Sequence, residues 1–381
     1  MCPTVKVSGS GARVQVFDKI DRSRSDLTAE RNEYHFRTPY FSDALLPLLK
    51  DQRDGPMLHL MLNIVAVVVP GSLLVYGVNY WQLSGLVRHM TGVAYVLSVF
   101  ILFLERFLLM MHFSSHRSLF RNEWLNGLLV WCFAPFFGVP CGLYKNHHVI
   151  MHHAENNHDL DISSTEQYQR DSCRDFARYW FHFILLIWVE LPLYCVKSRR
   201  WKMGFDLALG MATYVLLLFT AARLLSFTAT MYVFVVPYIV GVSAMSFGNW
   251  SQHIFVNPEE YQSNYHLTYN CIDHPTNQTT FNDGYHVIHH LNARLHWSEI
   301  PEYFVNNKDK HLAGGALTFR GVHFFEVGMY AMTKNLRKLA ECYVHLGPQD
   351  TAPTLDEIEE KMKIWLRPVN PAVATAPKKA Q

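Results

Sequence analysis

The stretch that decides the fold is Gly92-Val-Ala-Tyr-Val-Leu-Ser-Val-Phe-Ile-Leu-Phe-Leu-Glu-Arg-Phe-Leu-Leu-Met-Met-His-Phe113. A helix needs about 20 mainly apolar residues to cross a hydrocarbon layer, and this run supplies them. Its acidic and basic residues, Glu105 and Arg106, lie towards one end. Charges within a span are as a rule functional or paired. Glu105 stands seven residues before His112, so a helix sets both on one face, where a carboxylate can orient an imidazole. The other open reading is that Arg106 snorkels to the headgroups and Glu105 pairs with a neighbour.

Five further apolar runs surround this one: Met57–Tyr80, Leu125–Val139, Phe176–Val196, Phe205–Leu225 and Met231–Phe247. Apolar residues make up 50% of the chain and charged residues 17%, fewer charges than the quarter or so of soluble domains. The formal net charge of +2 gives no reason to expect a nucleic-acid partner. Seven cysteines without a C-x-x-C spacing argue against a disulfide scaffold, and no cleaved secretory signal is recognisable at the N-terminus.

The 21 histidines are unevenly spread. His112-Phe-Ser-Ser-His116 ends the quoted run, and on a helix i and i+4 share a face. Asn146-His147-His148-Val-Ile-Met-His152-His153 holds four histidines in a short stretch, too many to explain as packing. The i, i+4 geometry favours His148 and His152 there, with His153 one step round; His147 and His158 are alternative ligands. Asn249-Trp-Ser-Gln-His253 places an amide and an imidazole on one face at the end of the last run. His286-Val-Ile-His289-His290 puts three imidazoles on one turn. The candidates are thus His112, His116, His148, His152, His153, His253, His286, His289 and His290. One zinc takes about four ligands, so nine suit two metals. Imidazole alone does not name the metal. A metal pair at the edge of apolar spans would meet an alkyl chain, which offers hydrolysis nothing to act on but can be attacked by oxygen activated at iron.

If the clusters build one site, they lie on one side of the membrane. The run 125–139, with Pro135 and Gly138, then cannot cross and is re-entrant or superficial. An even number of the three runs between 153 and 253 must cross. Phe176–Val196 contains His182, Glu190 and Pro192 and is followed by Lys197-Ser-Arg-Arg-Trp-Lys202, a basic stretch that prefers the cytosol. It is therefore expected to lie in the interface. The expected fold is an all-α integral membrane protein with about four transmembrane helices, one or two interfacial or re-entrant helices, and a cytosolic helical cap holding the histidine cluster. Residues 1–55 would be a cytosolic N-terminal segment, in which Phe41–Lys50 is either a surface-lying amphipathic stretch or a packed loop. Residues 56–300 would be the membrane domain, 301–366 the continuing cap with a helix over Thr354–Leu366, and 367–381 a disordered tail. Lys378 and Lys379 resemble a dilysine retrieval signal, which suggests the endoplasmic reticulum with cytosolic site and termini. Asn249-Trp-Ser251 and Asn277-Gln-Thr279 are glycosylation triplets that this topology predicts to be bare.

The order H-x3-H, H-x3-HH, N-x3-H, H-x2-HH, interleaved with two membrane hairpins over roughly residues 57–300, resembles the membrane fatty acid desaturase superfamily, the histidine-box diiron oxidases. The resemblance implies that the nine histidines bind two irons, that O2 is co-substrate, and that Asn249 acts through a bound water. The third box starts with His286 where fused front-end desaturases usually have Gln. Asp273-His274-Pro275-Thr276 does not supply the H-P-G-G signature of a fused cytochrome b5. Electrons would come from a separate carrier, cytochrome b5 with its reductase or ferredoxin.

The implied reaction is desaturation of a fatty-acyl chain, carried by lipid or CoA. Its runner-up is hydroxylation of an alkyl, acyl or sphingoid chain. A third class, a non-catalytic metal-binding membrane protein, fits less well, since transport needs ionisable groups along the spans and the histidines gather at one face. Asp159 and Asp161 are expected either to hydrogen-bond ligand histidines or to cap a helix. His182, His266, His274, His296 and His323 lack a partner at ligand spacing.

Overall fold

In a bilayer, backbone polar groups must be satisfied within the protein, so long apolar runs become long helices. A computed structural model describes residues 11–20, 42–158 and 160–369. The first two runs form α1 (Gln52–Tyr80) and α2 (Gly85–His116). A short helix α3 (Glu123–Leu128) and a helical segment α4 (residues 143–155) follow. Next come α5 (Cys173–Lys197), α6 (Trp201–Leu225) and α7 (Phe227–Gln252). Among the described residues α1, α2, α5, α6 and α7 are long and apolar enough to cross a membrane. The fold is thus an all-α membrane fold. At 25 residues α5 passes the length test, although the sequence reading lays it in the interface.

The described residues pack as two compact units, a span unit (within residues 42–154 and 184–245) and a cap unit (within residues 11–20, 155–183 and 246–369). In the span unit the third apolar run does not form a long helix. After α3 it passes through a π turn (Leu129–Phe133) and a 3-10 turn (Ala134–Phe137). Irregular backbone at membrane depth is tolerated only when protein covers it, and Leu129, Ala134, Phe137, Val139 and Cys141 are all buried. Two glycines permit that cover. Gly138 has φ +81°, and a Cβ there would stand 2.0 Å from the Pro237 carbonyl oxygen of α7. A Cβ on Gly210 of α6 would stand 2.0 Å from the Cys141 carbonyl oxygen.

The cap unit has small strand pairs that the sequence reading did not expect. Strand β1 (Gln15–Val16) pairs in parallel with β4 (Val344–His345), and β2 (Tyr269–Ile272) with β3 (Leu317–Arg320), in the register Tyr269 to Leu317 and Ile272 to Arg320. Helix α8 (His286–Leu291) carries the third box. The expected C-terminal helix is α9 (Leu355–Trp365), opened by a capping box between Thr354 and Glu357.

At the centre of the cap unit Arg170 has no exposed surface. Its guanidinium donates to the carbonyls of Ile254 (3.0 Å), Trp365 (2.8 Å), Arg367 (2.6 Å), Thr165 (3.2 Å) and Glu166 (3.2 Å). Burial pushes it down to about 9, still charged at neutral pH. One cation therefore ties the turn after residue 164, the residue following His253, and the end of α9. His274, His296 and His323 accept from the backbone N–H of Thr276, Ser298 and Phe325, so three histidines set aside as ligands are helix caps. The dilysine pair, the tail beyond residue 369 and Asp159 lie outside the described residues.

Candidate metal centre

The span unit contributes the first two boxes. His112 and His116 occupy the last turn of α2, with ring centroids 5.8 Å apart. Within α4, residues Asn146–His152 form a π turn, and the His153 N–H bonds to the His148 carbonyl. That i to i+5 bond changes which side chains align. The α-helical expectation pairs His148 with His152; here His148 and His153 face each other, their Nε2 atoms 3.1 Å apart. π turns are frequent at functional sites, and this one explains why the box ends in a His-His pair.

The ligand nitrogens of His112, His116, His148 and His153 all lie within 4.8 Å of one another. His152, 2% exposed, keeps its ring 5.4 Å from that of His148 and 5.6 Å from that of His153. Burial first, then the neighbouring imidazoles of His112, His153, His116 and His152, hold His148 well below the usual imidazole value. It is neutral at pH 7 and has a lone pair to give. His147 is buried but stands outside the group. Glu105 is half-buried on α2, seven residues before His112, while Arg106 turns back onto the Leu102 carbonyl at 3.3 Å.

The cap unit contributes the other two boxes. His253, fully buried, sits just past α7, and its Nδ1 is 3.0 Å from the Leu267 carbonyl oxygen. A carbonyl only accepts, so Nδ1 bears the hydrogen and Nε2 the lone pair. His290 makes the same kind of bond, Nδ1 to Asn156 Oδ1 at 3.1 Å. The ligand nitrogens of His253 and His290 lie within 4.8 Å of each other. His286 Nδ1 is 3.2 Å from Gln252 Nε2, which also donates to Asp283 Oδ2 at 2.7 Å. The ring centroids of His253, His286 and His290 are 4.9–5.4 Å apart. His289 is 2% exposed, its ring 5.4 Å from that of His286.

The remaining sequence candidates take other parts. Asn249 donates through Nδ2 to the Ser163 carbonyl and to Tyr179 Oη, each at 2.9 Å, which leaves Oδ1 as the acceptor end of a fixed amide. His158 is paired with Glu166 at 2.8 Å. Asp161 accepts from Ser163 N at 2.8 Å and Ser163 Oγ at 2.6 Å. Asn277 of the second glycosylation triplet is fully buried and donates to the Cys271 carbonyl at 3.1 Å. Sequence reading missed Gln252, Asp283, Asn156 and the Leu267 carbonyl. Only Asn156 had a local signal, the Asn156-Asn157 pair of a tight turn.

The donors are imidazole nitrogens, and at His253 and His290 a hydrogen-bond acceptor fixes the tautomer that a metal requires. Both units thus hold histidines that fit a transition metal. Residues 88–320 match a family model described as "Fatty acid desaturase". No curated protein and no solved structure matches the chain.

Proposed function

Because the chain belongs to the fatty acid desaturase family, we propose that it is a diiron, O2-dependent desaturase of fatty-acyl chains. The coarser statement, a membrane oxidase of the desaturase and hydroxylase type, follows from the family itself. What supports the diiron reading is the donor set. His112, His116, His148, His152, His153, His253, His286, His289 and His290 give nine imidazoles, enough for four or five on each of two metals, without a carboxylate among them.

When bound, such an iron pair uses O2, two electrons and two protons to take hydrogen from two adjacent methylenes, leaving an alkene and two waters. The chain's own contribution is placement. The π turn of α4 aims His148 and His153 at one point. Leu267 and Asn156 hold the His253 and His290 rings with Nε2 as the ligand atom. Asn249, its N–H groups engaged, presents an oxygen that can orient a water. Electrons would arrive from a separate carrier, cytochrome b5 with its reductase or ferredoxin. The membrane would be that of the endoplasmic reticulum, with the site on the cytosolic side. There α1, α2, α6 and α7 would cross and α5 would lie in the interface.

The test is expression in a host with suitable electron donors, followed by lipid mass spectrometry. A new alkene that disappears in His289→Ala supports the proposal. An alcohol instead would make the enzyme a hydroxylase. Full activity in His289→Ala would refute the site.

A further inference from the structure

We propose that Asn156 and Asn264 are positioning residues that select the metal-binding tautomer of His290, an inference that rests on the metal reading above. A neutral imidazole has one N–H and one lone pair. To bind a metal through Nε2, His290 must carry its hydrogen on Nδ1, and something must accept it. The atom there is Asn156 Oδ1, at 3.1 Å.

An amide alone would not decide the matter, since its NH2 end could face the ring equally well and would favour the opposite tautomer. In the structure its other end meets Asn264. Asn156 Nδ2 donates to Asn264 Oδ1 at 2.9 Å. With its nitrogen drawn towards Asn264, the Asn156 amide offers oxygen to the imidazole. The two side chains form a relay with a direction, and the direction leaves the Nε2 lone pair for a metal.

The backbone explains why the residue is asparagine. Asn156 has φ +53° and Asn157 φ +63°, the left-handed region that asparagine tolerates better than other non-glycine residues. This double left-handed turn follows the last residue of α4. Asn157 holds the turn, its Oδ1 accepting from Thr165 N at 3.0 Å. A residue at 156 must therefore adopt the left-handed conformation and carry an acceptor oxygen. Asparagine meets both demands, aspartate nearly so, and glycine only the first.

The variants follow from that distinction. Asn156→Gly removes the acceptor without backbone strain; Asn156→Asp keeps an acceptor; Asn264→Ala frees the amide to turn. The measurement is iron retention by the purified full-length protein against a graded chelator, with the Mössbauer spectrum of the iron-loaded form. Asn156→Gly is expected to weaken retention about 10–100-fold, the usual effect of losing a partner behind a metal-bound histidine. Asn264→Ala should do so less, and Asn156→Asp should restore most of the loss. In a His290→Ala background Asn156→Gly should change nothing further. Equal weakening in that background, or wild-type retention in Asn156→Gly, would overturn the relay while leaving the metal reading intact. A wild-type protein that holds no iron would instead overturn the metal reading, and the relay with it. Thermal unfolding of the metal-free variants separates damage to the fold from damage to the ligand.

Discussion

The two units bring their histidines into place by different means. In the span unit the rings pack on one another: His148 has its centroid 4.4 Å from His112, 5.1 Å from His116 and 4.7 Å from His153. Their aim comes from backbone, the end of α2 and a π turn in α4, steadied by close contacts at Gly138 and Gly210. In the cap unit the Nδ1 atoms of His253 and His290 each face an acceptor, a backbone carbonyl and an asparagine side-chain oxygen. The first arrangement fixes where the nitrogens are; the second also fixes which nitrogen carries the lone pair. Damage to backbone geometry should tell in the span unit, and damage to hydrogen-bond partners in the cap unit.

The largest effect should follow from Arg170→Met. It removes a buried cation that satisfies six carbonyls, one of them next to His253. Losing one partner of a buried charged network costs about 3–5 kcal/mol. Hydrogen exchange should show the cap unit opening while the span unit keeps its protection; loss of protection in both alike would erase the distinction. Gly210→Ala should come next. The added methyl would meet the Cys141 carbonyl, and overpacking of this kind costs about 1–3 kcal/mol. Thermal unfolding of the detergent-solubilised protein should fall, with span-unit amides losing protection first. Unchanged stability would mean that the segment before α4 is not held by this contact.

Mild acid should have the smallest effect, and in the cap unit. Burial holds His311 at about 4, and burial together with the nearby His274 holds His323 at about 3. Both are depressed in the folded state, so their contribution is complete above the unfolded value of about 6.5 and is lost as pH falls towards the folded values. At pH 5.5 each should cost the cap unit on the order of 1 kcal/mol. Exchange rates at pH 7 and 5.5, corrected for intrinsic pH dependence, should differ in the cap unit; His323→Asn should flatten part of that difference.

The apolar runs and the nine histidines were legible in the sequence because their spacing is local. Span length, the breaks at Pro135 and Gly138, and the helix expected over Thr354–Leu366 are properties of neighbouring residues, and the structure has them. The π turn was not legible, since Asn146-His-His-Val-Ile-Met-His152 suits either helical period and only packing selects the wider one. Nor were Asn156 with Asn264, or Arg170 with Trp365, because each pair joins residues more than a hundred positions apart. The short parallel strands β2 and β3 escaped notice because their pairing joins segments 48 positions apart, with no local signal. The capping histidines were set aside for want of a partner at ligand spacing; the structure supplies a use that spacing does not reveal.

The proposed function requires that the chain's histidines hold two irons. Metal analysis of the purified full-length protein, expressed with iron and zinc both available, tests it most directly. About two irons per chain is the predicted result, as nine imidazoles allow; a single zinc, or no firmly held metal, would contradict it.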